Sequence, residues 1–102
     1  MVLELAILNV IPGRGDEFEH AFRKAKGIIA SMPGFQSLEL QKCLEQPNRY
    51  ALLVKWSTLE DHTVGFRQSP EYQRWKALLH HFYDPFPTVE HFETVYSSRP
   101  AA

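Results

Sequence analysis

The sequence predicts one α+β domain of the split βαβ type, with an antiparallel four-stranded sheet and both helices on one face. Three observations carry that expectation. Residues 2–11 alternate as a strand with two apolar faces, and residues 16–32 repeat apolar side chains at helical spacing. Two further strand-like runs around a turn then lead into a second helical stretch and a last strand, giving the order strand, helix, strand, strand, helix, strand. A chain of 102 residues has room for one conventional domain, which we place over 1–102, with its core over about 2–96 and a polar tail over 97–102.

In the first strand, Leu3, Leu5, Ile7 and Ile11 share one side, and Val2, Ala6, Leu8 and Val10 the other. Pro12-Gly13 breaks it, and Asp16 is placed to cap a helix whose stripe is Phe18, Ala21, Phe22, Ala25, Ile28, Ile29 and Met32. Pro33-Gly34 ends the helix, and a second strand starts near Phe35 with Leu38, Leu40 and Leu44 on one face. Residues 45–49 have turn chemistry, after which Tyr50, Leu52, Val54 and Trp56 share a face, completing a hairpin. Ser57 with Glu60 fits a capping box, and Ser69-Pro70 fits a fresh cap with proline at the first helical position. One broken helix, or two short ones, therefore spans 58–82. A rigid connector, Asp84-Pro85-Phe86-Pro87, precedes a final strand from Val89 to Tyr96.

Composition removes several classes of function. Eleven Lys and Arg against twelve Asp and Glu, with no basic run, argue against a nucleic-acid partner. No stretch reaches the roughly 18 unbroken apolar residues of a membrane span, and the opening carries Glu4 without a basic leader, so the chain reads as soluble and unprocessed. The single cysteine, Cys43, allows no internal disulfide and suits a reducing cytoplasm; without an adjacent base it reads as a small hydrophobe. No glycine-rich strand-to-helix turn for a flavin or nicotinamide is present, so no cofactor is expected. Helices cover only one of the sheet's two apolar faces, which leads us to expect a homodimer paired through the other.

The opening LNVIPGRGDEFEHAF, the central SMPGFQSLEL, the strand end LLVKWSTLEDH and the following FRQSPEYQRW, in this order, resemble the antibiotic biosynthesis monooxygenase family over about residues 2–96. The resemblance implies a ferredoxin-like domain that forms a dimeric α/β barrel, with a pocket between helices and sheet in each subunit. It also implies a choice among cofactor-free oxygenases of anthrones and quinols, haem-degrading enzymes and proteins of unknown substrate. Aligned on Ser69, Phe66 stands where haem-degrading members have a Trp and Lys76 where they have a His; Asn9 is one residue from their Asn position, which Leu8 occupies. A lysine is a poor axial ligand, so haem degradation is disfavoured.

Of the five histidines, His20, His80 and His81 fall off the apolar stripes and read as solvated, and adjacent His80 and His81 point about 100° apart, which argues against a metal site. His62 shares a helical face with Leu59 and Phe66 and is the best proton-transfer candidate, set against a reading as a structural histidine. His91 shares a strand face with Val89, Glu93 and Val95, either as a surface or interface pair with Glu93 or as a pocket base. Trp56, Phe66, Tyr72, Trp75, Phe82 and Phe86 suit a packed core, a subset of which can line a slot for a planar aromatic ligand. The expected pocket thus contains Asn9, Phe66, Tyr72, Trp75 and His91, with His62 as base and Arg67 or Asn9 stabilising an oxyanion. The leading expectation is cofactor-independent oxygenation of a small aromatic or quinol; the alternative is a non-catalytic ligand-binding or stress-response module using the same pocket.

Overall fold

The computed structural model describes residues 1–101; Ala102, the last residue of the expected tail, lies outside them. The elements are β1 (Val2–Asn9), α1 (Gly15–Ala30), β2 (Phe35–Lys42), β3 (Arg49–Trp56), a π-helical turn (Asp61–Phe66), α2 (Pro70–Leu79), a 3-10 turn (His80–Phe82) and β4 (Val89–Phe92). The strands lie in the order β2-β3-β1-β4, every neighbouring pair antiparallel. This is the α+β split βαβ arrangement that the alternation and helical spacing predict. No helix among the described residues is long and apolar enough to cross a membrane.

Strand parity divides the sheet chemically. On β1, Glu4, Ala6 and Leu8 point towards the helices, opposite Val54, Leu52 and Tyr50 of β3, and all six are buried. Phe18, Phe22, Ala25 and Ile29 of α1 close over them, joined by Phe66, Trp75 and Leu79 from the second half. The other face carries Leu3, Leu5 and Ile7 beside Ala51 and Leu53, all only partly buried.

Local differences from expectation have physical reasons. Asp16 does not cap α1: the helix begins at Gly15 with no side-chain cap, and Asp16 and Glu17 instead put their charge in its first turn, where the helix dipole favours it. The capping box lies one residue beyond Ser57 and Glu60, since the Thr58 N–H donates to Asp61 Oδ2 (3.0 Å) and the Asp61 N–H donates to Thr58 Oγ1 (3.2 Å). Ser69 caps α2 as its sequence signals, accepting from the Tyr72 N–H at 3.1 Å with Pro70 opening the helix. Leu44 falls past the end of β2 and is solvent-exposed. β4 ends at Phe92 rather than Tyr96, because Phe92 pairs with Leu3 and β1 has almost no chain left to pair with residues 93–96.

Both Pro-Gly turns use a left-handed glycine, with φ of 85° at Gly13 and 83° at Gly34. They differ in surroundings: a Cβ at Gly13 meets nothing within 4 Å, whereas one at Gly34 collides with the Asp61 carboxylate of the capping box. Gly13→Ala should therefore cost about 1–2 kcal/mol from backbone strain alone. Gly34→Ala should cost clearly more, because it also displaces Asp61. Urea midpoints of the two variants, compared with the parent, check the order.

Candidate functional site

A cavity of about 310 Å³ opens between the helix-facing side of the sheet and the second half of the chain. Its floor is Ala6, Leu8 and Leu52 with Val89 of β4, and Ile29 at the end of α1 forms one side. Phe66, Tyr72 and Trp75 form an aromatic wall, with Phe66 edge-on to both Tyr72 (5.3 Å) and Trp75 (5.9 Å). Tyr83 and, from the connector, Phe86 and Pro87 close the remaining side. Such a chamber accepts a small planar molecule, and its polar groups decide what happens there.

The main polar group is Glu4, 5% exposed in the middle of the sheet. The Trp56 indole N–H donates to Glu4 Oε1 at 2.9 Å, and His62 Nε2 lies 3.3 Å from the same oxygen. His62, 3% exposed, stacks on the Trp56 ring at 5.6 Å and has its Nδ1 2.8 Å from His91 Nε2. The π-helical turn presents His62, β1 presents Glu4 opposite Val54, and β4 pairs His91 with Glu4, so three elements build one chain of polar contacts.

Burial raises the Glu4 carboxyl above its ordinary value, against the Trp56 hydrogen bond and the Arg67 charge, which lower it. Burial lowers His62 to about 3, helped by Arg67 and His91, and burial and then Arg67 lower His91. The imidazoles are therefore neutral at physiological pH, and the His62–Glu4 contact is polar rather than an ion pair of imidazolium and carboxylate. The two imidazole nitrogens at 2.8 Å are hydrogen-bonded; two histidine nitrogens on one tetrahedral zinc would stand about 3.4 Å apart for Zn–N bonds of about 2.0–2.1 Å.

His62, Arg67, Phe66, Tyr72 and Trp75 all line the cavity, with Arg67 exposed at its rim. Asn9 does not: it is an odd-numbered residue of β1, on the opposite parity from Glu4, Ala6 and Leu8, and it borders a shallow surface depression with Glu45 to Arg49. His91 is not a wall residue either; it stands behind His62, and its hydrogen bond is to that imidazole rather than to Glu93. His80 is a wall residue although its helical position reads as solvated, because the chain tightens into a 3-10 turn after Leu79 and swings the ring inwards. Its Nδ1 is buried without a hydrogen bond, and burial lowers it to about 4. His20 and His81 are exposed. Glu4 itself is the residue that sequence reasoning passed over; its signal was a lone carboxylate on an otherwise apolar strand face.

The sequence pattern of the antibiotic biosynthesis monooxygenase family matches residues 1–78. The chain belongs to that family. It is 59% identical over 95 residues to the uncharacterized protein YczJ of Bacillus subtilis (strain 168), covering 93% of this chain and all of that one. The fold superposes with a TM-score of 0.89 on a Bordetella bronchiseptica structure carrying the same family name, at 34% identity over 93% of this chain and 97% of the other. It also matches SnoaB, a cofactor-independent oxygenase from Streptomyces nogalater, with a TM-score of 0.72 at 23% identity over 98% and 97% of the two chains. At that identity the likeness to SnoaB is one of fold.

The neutral His62 couples the site to stability. As pH falls from 6.5 towards about 3, the unfolded chain binds a proton at His62 that the folded chain refuses. Its contribution is full above the ordinary histidine value and lost as pH falls through that window, with a slope approaching about 1.4 kcal/mol per pH unit. Glu4 acts in the opposite sense: its contribution is present at low pH and lost as pH rises from 4.5 through the raised folded value. Urea unfolding across the histidine window should show the parent losing stability more steeply than His62→Gln, which has no imidazole to protonate.

Proposed function

We propose that this protein is a cofactor-independent oxygenase that takes a small aromatic or quinol-type substrate into the cavity beneath α2. The single observation that supports this most is a buried carboxylate joined to two neutral imidazoles at the wall of an aromatic-lined chamber. Family membership and the SnoaB-like fold agree with it. Oxygenation without a cofactor begins with a proton leaving an activated C–H or O–H of the substrate, and a buried acceptor beside a planar apolar slot suits that step. For a CH₂ substrate the anion then passes an electron to dioxygen, the two radicals combine, and loss of water leaves a carbonyl where the CH₂ stood; a quinol instead passes two electrons and two protons to dioxygen, leaving the quinone and hydrogen peroxide.

Arg67 has the second role. Its guanidinium is at the rim with no carboxylate within ion-pair distance among the described residues, so it is free to meet a phenolate or a developing oxyanion. Tyr72 and Tyr83 bring phenol hydroxyls to the same chamber. We further propose that the working unit is a homodimer in the cytoplasm. Leu3, Leu5, Ile7, Ala51 and Leu53 form a continuous apolar centre on the helix-free face, Phe92 beside them is 46% exposed, and Ser37, Glu39, Gln41 and Lys55 supply a polar margin. That composition fits an isologous interface.

Oxygen-electrode assays on a panel of quinols and anthrones should register uptake with at least one compound and the corresponding quinone as product. Ligand binding without oxygen uptake across the panel would instead support the non-catalytic module. Arg67→Met should raise KM for anionic substrates about tenfold while leaving the unfolding free energy within about 0.5 kcal/mol of the parent's, as for a surface substitution. Light scattering at micromolar concentration should return twice the mass of one chain; a monomer would remove the dimer from this reading.

A further inference from the structure

The polar chain has a direction, and the direction decides which group touches substrate. Glu4 Oε1 receives the Trp56 N–H and faces His62 Nε2, while among the described residues Oε2 has no hydrogen bond or ion pair. Glu4 is a wall residue of the cavity, and the fully buried side-chain atom without a partner among the described residues is His80 Nδ1, so Oε2 is not sealed off. His62 is the reverse case: each of its ring nitrogens faces a protein group, Nε2 towards Glu4 and Nδ1 towards His91. An imidazole committed at both nitrogens has no lone pair left for a ligand.

The proton positions are set by partner chemistry. With Glu4 ionised, its carboxylate only accepts, so the nitrogen of His62 that faces it carries the hydrogen, and Nδ1 then accepts from the Nε2–H of His91. His91 thereby fixes the tautomer of His62, and His62 with Trp56 fixes Oε1. A two-point hold of this kind aims the other oxygen.

We propose that Glu4, through Oε2, is the group that takes the substrate proton, and that His62 and His91 are positioning residues that hold Glu4 for it. The substrate is the one in the oxygenase reading, on which this assignment rests. In the step, the substrate C–H or O–H bond breaks, its electron pair stays on the substrate, and an O–H bond forms at Oε2. For a CH₂ substrate, the carbanion combines with dioxygen to give a peroxide anion. Glu4 returns its proton to that anion, and the hydroperoxide loses water to leave the carbonyl, so Glu4 ends the cycle as it began. The groups facing Glu4 are His62 and Arg67 from the π-turn region, His91 from β4, Trp56 from β3 and Tyr83 just before the connector. Burial raises the basicity of the Glu4 carboxyl, while the Trp56 hydrogen bond and then Arg67, the one of these groups that is positively charged at neutral pH, draw it back towards ionisation.

Two conservative variants separate the candidates. Glu4→Gln keeps an acceptor for the Trp56 N–H and should lower kcat by about 10² to 10⁴ with substrate binding retained. His62→Gln keeps an amide N–H to donate to Glu4 and should fall by only about tenfold, with the acid limb of its pH–rate profile moved. Loss of turnover in His62→Gln together with an active Glu4→Gln would overturn the proposal and restore His62 as the base. A measurement that needs no turnover runs beside it, with 4-nitrophenol as the probe in the full-length protein. Below the probe's own pKa, binding should produce the phenolate absorbance together with a carboxylic-acid C=O band in the infrared difference spectrum. Both signals should vanish in Glu4→Gln and persist in His62→Gln. Phenolate that persists in Glu4→Gln overturns the assignment even if no quinol is ever oxidised, and the expected pair of signals upholds Glu4 as acceptor even if the oxygenase reading fails.

Discussion

A carboxylate on the helix-facing side of a central strand cannot be hydrated from outside, so the protein around Glu4 has to satisfy it from within. Leaving such a group without a partner would cost more than the roughly 1–3 kcal/mol of an orphaned neutral donor or acceptor. The Trp56 indole meets one side, and that fixes which way the largest side chain at the end of β3 lies. The Trp56 ring in turn supplies the surface on which His62 stacks, and Phe35 packs against it edge-on at 6.0 Å from the start of β2. The hairpin end, the π-helical turn and the edge strand β4 are therefore all referenced to one buried acid.

The cavity exists because the second half of the chain does not pack as one regular helix. A π-helical turn, a capped restart at Ser69 and a 3-10 turn after Leu79 place His62, Phe66, Tyr72, Trp75 and His80 around a space rather than along one stripe. π-Turns are energetically poorer than α-helix and recur at functional sites. Here the turn orients His62 and Phe66 inwards and leaves Arg67, one residue later, at the rim. The first half is regular by contrast: α1 presents an unbroken buried row and makes a tightly packed core with Tyr50 and Phe82 through Phe18. One helix stabilises, and the broken one shapes.

The same parity that commits Glu4 to the cavity commits Leu3, Leu5 and Ile7 to the open face. β1 thus contributes to a polar site on one side and to an apolar surface on the other within eight residues. A substitution on this strand acts on one layer or the other according to whether its number is even or odd, and Asn9, expected in the pocket, is outside it for that reason alone.

The sequence by itself determined the order of the elements, the breaks at Pro12-Gly13 and Pro33-Gly34, the restart at Ser69-Pro70 and the family. Those depend on period, turn chemistry and capping, which act over a few neighbouring residues. It also marked Phe66, Tyr72 and Trp75 as pocket candidates by their aromatic character, while the break at Ser69 left their relative placement to the tertiary structure. Only the tertiary structure decided that Glu4, His62 and His91 form one chain of contacts. Fifty-eight and twenty-nine residues separate them in order, they come from a strand, a π-turn and an edge strand, and no local spacing encodes the register that sets Glu4 opposite His91. His80 departs from its helical position for a related reason. A helical wheel assumes an unbroken α-helix, and the tightening after Leu79 rotates every later side chain away from where that wheel puts it.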